Sequence, residues 1–280
     1  MSTPGRPERE CRSAQREGQR QRTDVHVEVS GRGPPLVLLH GWAMHGGLFA
    51  SLVPALAQRY RVAVVDLPGH GRSAAAPLRS IDEAVQLIDA QFRDAAEPLR
   101  VLGWSMGGAL ALHWARREPA RIGRLVLVGS TPRFITAPDW PHAMSPETLQ
   151  RFGDELAIAY RLTLQRFLTL QVQGSDGGRA ALHALRDALF ARGEPCREQL
   201  RDALAMLQAI DLRDDLPHID ARTLVVAGTR DALTPAAASA WIAATIPDAR
   251  LVTIPGAAHA PFLSHRAEFD AAVLPFLGAP

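Results

Sequence analysis

With 280 residues, 47% of them hydrophobic and 21% charged, the chain can bury one substantial core with room for an insertion. A formal net charge of +2 leaves no concentrated basic face for nucleic acid or a membrane surface. No run approaches the roughly 20 apolar residues that span a bilayer, and the N-terminus lacks the apolar segment of a secretory signal, so the cytoplasm is the expected compartment.

Two compositional features constrain the chemistry further. Every basic residue other than histidine is arginine, so no lysine can act as a base or form a Schiff base. Cys11 and Cys196 are too few for a framework and Cys11 falls in a polar tail, so a structural disulfide is not expected. No histidine and acid cluster shows ligand spacing, and neither a metal nor any other cofactor is expected.

In chain order, residues 1–22 are polar, with arginines among Glu, Gln and Ser, and read as a disordered tail. Alternation over 24–29 predicts a first strand. Pro35-Leu36-Val37-Leu38-Leu39 is apolar throughout, as a strand buried on both faces of a parallel sheet must be. It ends in His40-Gly41-Trp42. A helix near 48–57 leads to a buried strand over 60–65 and the turn Asp66-Leu67-Pro68-Gly69-His70-Gly71. A helical stretch at 80–96 precedes a strand at 99–102, and a further strand covers 124–129.

This alternation predicts an α/β fold with a doubly wound, mostly parallel sheet. From 131 to 210 the β runs vanish, and amphipathic helical stretches take over at 146–160, 161–173, 178–192 and 196–209. They read as an all-helical cap inserted after the sixth core strand, leaving a core of 23–130 and 211–280. The core resumes with a strand at 221–228, a helix at 235–245, a strand at 250–254 and a closing helix from Arg266.

The chemistry centres on Gly103-Trp104-Ser105-Met106-Gly107, which joins a buried strand to a helix rich in small residues. A Gly/Ser turn without chemistry fits the five residues alone, but the flanking strand and helix favour a nucleophile elbow at Ser105. A serine hydroxyl needs a base, and the base needs an orienting acid. Of the ten histidines, His259 lies in a loop of small residues after the last core strand, where an imidazole can reach over the sheet edge. His40 suits backbone support and His113 suits packing. Asp231 follows the strand between serine and histidine. It could simply cap the next helix, yet the order Ser, Asp, His, each after a core strand, favours it over the rival Asp66. The backbone N–H groups of Trp42 and Met106 are placed for an oxyanion hole.

Leu39-His40-Gly41-Trp42, Asp66-Leu67-Pro68-Gly69-His70-Gly71, the elbow, Gly228-Thr229-Arg230-Asp231 and His259-Ala260-Pro261-Phe262 resemble the α/β-hydrolase family from about residue 25 to the end. Arg166-Phe167-Leu168 and Ala257-Ala258-His259-Ala260-Pro261-Phe262 are similar to segments of its biotin-synthesis carboxylesterases. The resemblance implies a cytoplasmic monomer that removes the methyl ester from a pimeloyl chain carried on acyl carrier protein, releasing methanol. It implies Trp42 and Phe167 as substrate contacts, with Arg166 and Arg179 facing the carrier. Two further arginine positions hold Leu162 and His183, with Arg161 and Arg186 close by. The residues alone leave open a general carboxylesterase, a lactonase or a carbon–carbon bond hydrolase on the same triad. A catalytically silent ligand receptor also remains.

Overall fold

The computed structural model describes residues 25–278. The expected tail at 1–22 lies outside the described residues. The sheet has seven strands: β1 (Val27–Ser30), β2 (Pro35–Leu39), β3 (Arg61–Val65), β4 (Leu99–Trp104), β5 (Ile122–Val128), β6 (Arg222–Gly228) and β7 (Ala249–Ile254). Their order is β1-β3-β2-β4-β5-β6-β7, with β1 antiparallel to β3 and the other pairs parallel. The apolar runs of β2, β4, β5 and β6 are buried along nearly their whole length, because helices cover both faces. From β2 the chain steps to β3 on one side and to β4 on the other. The loops leaving β2 and β4 therefore diverge and open a crevice at the carboxyl edge.

Eight helices of ten residues or more are described: α1 (Ile81–Ala90), α2 (Met106–Arg117), α3 (Pro146–Ile158), α4 (Tyr160–Val172), α5 (Gly178–Leu189), α6 (Arg197–Ala209), α7 (Ala236–Thr245) and α8 (Arg266–Gly278). Local chemistry fixes several starts. The Ser80 hydroxyl accepts from the Glu83 N–H at 3.1 Å, and Ser145 likewise caps α3, with Pro146 in its first turn. The segment holding α3 to α6 follows the fifth strand of the described chain, not the sixth. Only five runs before it have the length and apolar content of a strand. Cys196, at the start of α6, is disulfide-bonded, contrary to the expectation of free thiols; Cys11 lies outside the described residues. Among the described residues no helix is long and apolar enough to cross a membrane.

Packing is very tight where α2 crosses β4 and β2. A Cβ on Gly103 would lie 2.4 Å from the Gly107 carbonyl oxygen, and one on Gly107 would lie 2.3 Å from that of Leu39. Both neighbours are backbone and cannot rotate aside. Residues Met106 to Ala115 of α2 are all buried, so the helix lies inside the protein until its last two residues, Arg116 and Arg117, reach the surface.

Polar groups hold the rim beside it. Asp66, fully buried, accepts from the Gly46 and Arg72 N–H groups at 2.7 and 2.8 Å and from an Arg192 Nη at 2.7 Å. The other Nη of Arg192 binds Glu28 at 2.6 Å, so the link between α5 and α6 is tied to the sheet edge. His40 donates from Nδ1 to the Gly41 carbonyl at 2.8 Å and accepts the Leu67 N–H at Nε2 at 2.9 Å, as its place beside the crevice led us to expect. Burial, and then the neighbouring His70, push His40 down to about 3, and burial pushes His70 down to about 4.

Gly107→Ala is expected to lower stability by about 3 kcal/mol through backbone overlap, read from urea unfolding. A variant as stable as wild type would show that α2 and β2 do not touch. A second prediction concerns pH. His40 and His70 are neutral in the fold, whereas in the unfolded chain they bind protons near pH 6.5. The unfolded state therefore binds more protons between roughly pH 6.5 and pH 4, and stability falls as pH falls through that window. His45, also lowered by burial, acts in the same direction. Unfolding free energy should drop by about 3 kcal/mol from pH 7 to pH 5, and an unchanged value would mean that these rings carry protons in the folded state.

Candidate active site

Ser105 sits at the junction of β4 and α2 with φ 54° and ψ −119°, a conformation that a residue with a Cβ holds only under constraint. The constraint is visible. Its N–H donates to the Val128 carbonyl at 2.9 Å, and its own carbonyl accepts from the Ser130 hydroxyl at 2.9 Å. Directly after it, Met106 begins α2, where the first N–H groups have no intrahelical acceptor. The loop leaving β2 abuts the serine: a Cβ on Gly41 would lie 3.2 Å from the Ser105 Cβ. The backbone of Trp42 therefore enters the site beside the elbow.

His259 arrives from the far side of the sheet. It follows β7, which lies beyond β5 and β6 from β4, and its loop must reach back over them. Two backbone bonds hold that reach: the His259 N–H donates to the Gln171 carbonyl on α4 at 3.0 Å, and its carbonyl accepts the Trp104 indole N–H at 2.9 Å. The Trp104 ring packs 5.5 Å from the imidazole, which draws His259 towards the strand that carries the serine.

Asp231, after β6, completes the arrangement. His259 Nδ1 lies 2.8 Å from Asp231 Oδ2, and both side chains are buried. Burial alone would push the Asp231 carboxyl up. The charge and N–H of His259, with the Thr234 donors, outweigh that and hold it below its ordinary value. With Nδ1 supplying the proton to Asp231, Nε2 is the nitrogen left to act as a base. The rival Asp66 is wholly engaged by the rim, as a structural turn requires.

Above Ser105 lies a cavity of about 190 Å³, bounded by Trp42, Phe134, Phe152, Phe167, Leu207 and Leu233 among others. Trp42, Phe152 and Phe167 pack edge to face or tilted, with centroids 4.9 to 5.6 Å apart. The Trp42 indole N–H is held by the Leu200 carbonyl at 2.9 Å, which aims its side chain at the helical segment. The expected contacts Trp42 and Phe167 are thus brought together with Ser105. Arg166 and Arg179 are not in the cavity wall. Arg166 is exposed on α4 and binds Glu155 at 3.2 Å; Arg179 is exposed at the start of α5. Leu162 is exposed as well.

Sequence reading missed the wall supplied by α3 and α6. Leu149, Phe152 and Glu155 recur three residues apart on α3, as do Leu204 and Leu207 on α6. That spacing was legible, but the same pattern describes any helix packed on a core. It also missed Thr234, whose hydroxyl donates to Asp231 at 2.8 Å. Among the described residues no group of three or more His, Cys, Asp or Glu could hold a metal ion.

Known proteins similar to this chain share its fold. A family profile described as alpha/beta hydrolase fold matches residues 34–266. A protein of Xanthomonas oryzae pv. oryzae named pimeloyl-[acyl-carrier protein] methyl ester esterase is 45% identical over 91% of this chain and 99% of its own length. A protein of the same name from Chromobacterium violaceum is 43% identical over 88% of this chain and 95% of its own. Among solved structures, an esterase from Exiguobacterium antarcticum superposes with a TM-score of 0.82 at 23% identity, covering 91% of this chain and 96% of that one. With its elbow, its strand-end acid and histidine and its parallel sheet accounted for, the chain belongs to the α/β-hydrolase family.

Proposed function

We propose that this hydrolase is a serine carboxylesterase that cleaves the methyl ester of pimeloyl-[acyl-carrier protein], a step of biotin synthesis carried out in the cytoplasm by a monomer. The observation that carries the reading is the buried Asp231–His259 pair at 2.8 Å, tied through Trp104 to the elbow whose serine opens into an apolar cavity. The named relatives, 43 to 45% identical, supply the substrate. A chain of methylenes gains from apolar walls by leaving water, and the cavity offers it little else.

In the reaction, His259 Nε2 takes the proton of Ser105 as Oγ attacks the ester carbonyl. The negative charge that develops on oxygen is met by the Trp42 and Met106 N–H groups, donors fixed in place before the charge appears. Collapse of the tetrahedral intermediate expels methoxide, which leaves as methanol with the proton from His259. Water then attacks the acyl-serine, giving its proton to His259. The second collapse frees the carboxylic acid and returns a proton to Ser105. Asp231 holds the imidazole in one tautomer and offsets its charge while it is protonated. The substrate also carries a thioester at its carrier end, the better acyl donor of the two. Sparing it follows from depth, because the cavity must present the distal ester to Ser105. On the outer surface, Arg166 and Arg179 provide positive charge for an acidic carrier.

Wild-type protein is expected to restore growth on biotin-free medium to a bacterial strain lacking its pimeloyl methyl ester esterase. Ser105→Ala should not, with turnover down by about 10⁴-fold or more and the melting curve unchanged. Absence of growth with soluble wild type that is labelled by a fluorophosphonate would point to a different ester. A second prediction concerns chain length. Leu207→Trp fills the cavity, so hydrolysis of long-chain dicarboxylic methyl esters should fall at least tenfold relative to methyl acetate. Equal losses on both would place the acyl chain elsewhere.

A further inference from the structure

Asp231 accepts four hydrogen bonds. The Leu233 and Thr234 N–H groups reach Oδ1 at 2.9 and 3.0 Å, while the His259 ring and the Thr234 hydroxyl each reach Oδ2 at 2.8 Å. The same hydroxyl lies 3.3 Å from His259 Nδ1. Thr234 is buried, and it also forms part of the wall of the acyl cavity. Orienting an imidazole needs one carboxylate oxygen; here that oxygen is shared with a second donor.

We propose that Thr234 is a positioning residue of the proposed esterase: its hydroxyl fixes the plane of the Asp231 carboxylate against His259 and tempers the hold of that carboxylate on the imidazolium. The inference rests on the serine-esterase reading for its effect on turnover, though not for its effect on the dyad. Two donors on one oxygen compete for its electron density, and a carboxylate with an additional donor is a weaker base. Removing the hydroxyl therefore leaves Asp231 gripping the protonated ring more tightly, and the dyad gives up its proton at higher pH. It also frees the carboxylate to rotate about its Cβ–Cγ bond, because only backbone donors on Oδ1 then oppose the pull of the ring.

The surroundings isolate this interaction. Of the groups that act on the Asp231 carboxyl, His259 is the charged or titratable one. Arg230, next to it in sequence, turns away to Asp176 and the Gly174 carbonyl. Trp104 from β4, Gly129 after β5 and Gln171 from α4 pack on the dyad and carry no charge. Arg151 and Glu155 of α3 belong to the cavity wall.

The test compares Thr234→Val, Thr234→Ala and Thr234→Ser with wild type in two measurements. The first follows the protonation of the His259 ring by NMR in substrate-free protein, which needs no turnover. Val and Ala should raise the midpoint by about half a pH unit or more, and Ser should restore it. The second records pH–rate profiles on a methyl ester. Val and Ala should lose about tenfold in kcat with KM within twofold, and the acid limb should move to higher pH. If Val fails to fold, Ala against Ser reads the same quantity. An unmoved midpoint in Val or Ala, or a Ser variant no closer to wild type than Ala, overturns the proposal. If wild type hydrolyses no ester, the esterase reading fails while the NMR series still decides the role of Thr234.

Discussion

The crossing of α2 over β4 and β2 sets the position of everything at the site. A helix can approach a strand this closely only where neither carries a side chain, and Gly103 and Gly107 supply that gap. Because the helix starts so near the strand that feeds it, the chain has no room for an ordinary connection and turns within Ser105 itself. Strain at that residue, exposure of its hydroxyl to the cavity and the aim of the first helical N–H groups are three results of one close contact. Packing, backbone conformation and catalytic placement are therefore a single constraint.

Around that contact the protein buries several polar groups, and the charged ones are satisfied locally, although His70 Nε2 and the Gln171 side-chain amide find no partner among the described residues. Asp66 is neutralised by Arg192 and by backbone donors, while His40 and His70 stay uncharged and bond to nearby backbone carbonyls. Isolated ions in such a place would be strongly disfavoured. The histidine of the site differs from these two because it faces a carboxylate. His40 and His70 bond to loop backbone, whereas His259 has an acid behind it.

Much of this was legible from residue types and order. The apolar runs gave the sheet, and alternation with helices gave its parallel direction, because buried parallel strands have no polar face to show. Ser105, Asp231 and His259 stood out since each follows a predicted strand. The five strands before the helical segment were each legible as apolar or alternating runs, so the expectation of an insertion after a sixth went beyond the runs themselves. The roles of α3 and α6 were hidden, since an apolar helical face reads alike whether it meets a core or a ligand. Arg166 illustrates a second limit. Its place in the chain says that it neighbours Phe167, but only the helix geometry shows that it turns outward to Glu155.

One bond described above joins parts usually considered separately. The N–H of His259 is held by the Gln171 carbonyl, which belongs to α4, and α4 also carries Phe167 in the cavity wall. The proposed base is thus fastened to a helix that walls the cavity above Ser105. The position of α4 therefore bears on the loop that carries His259 as well as on the width of the cavity.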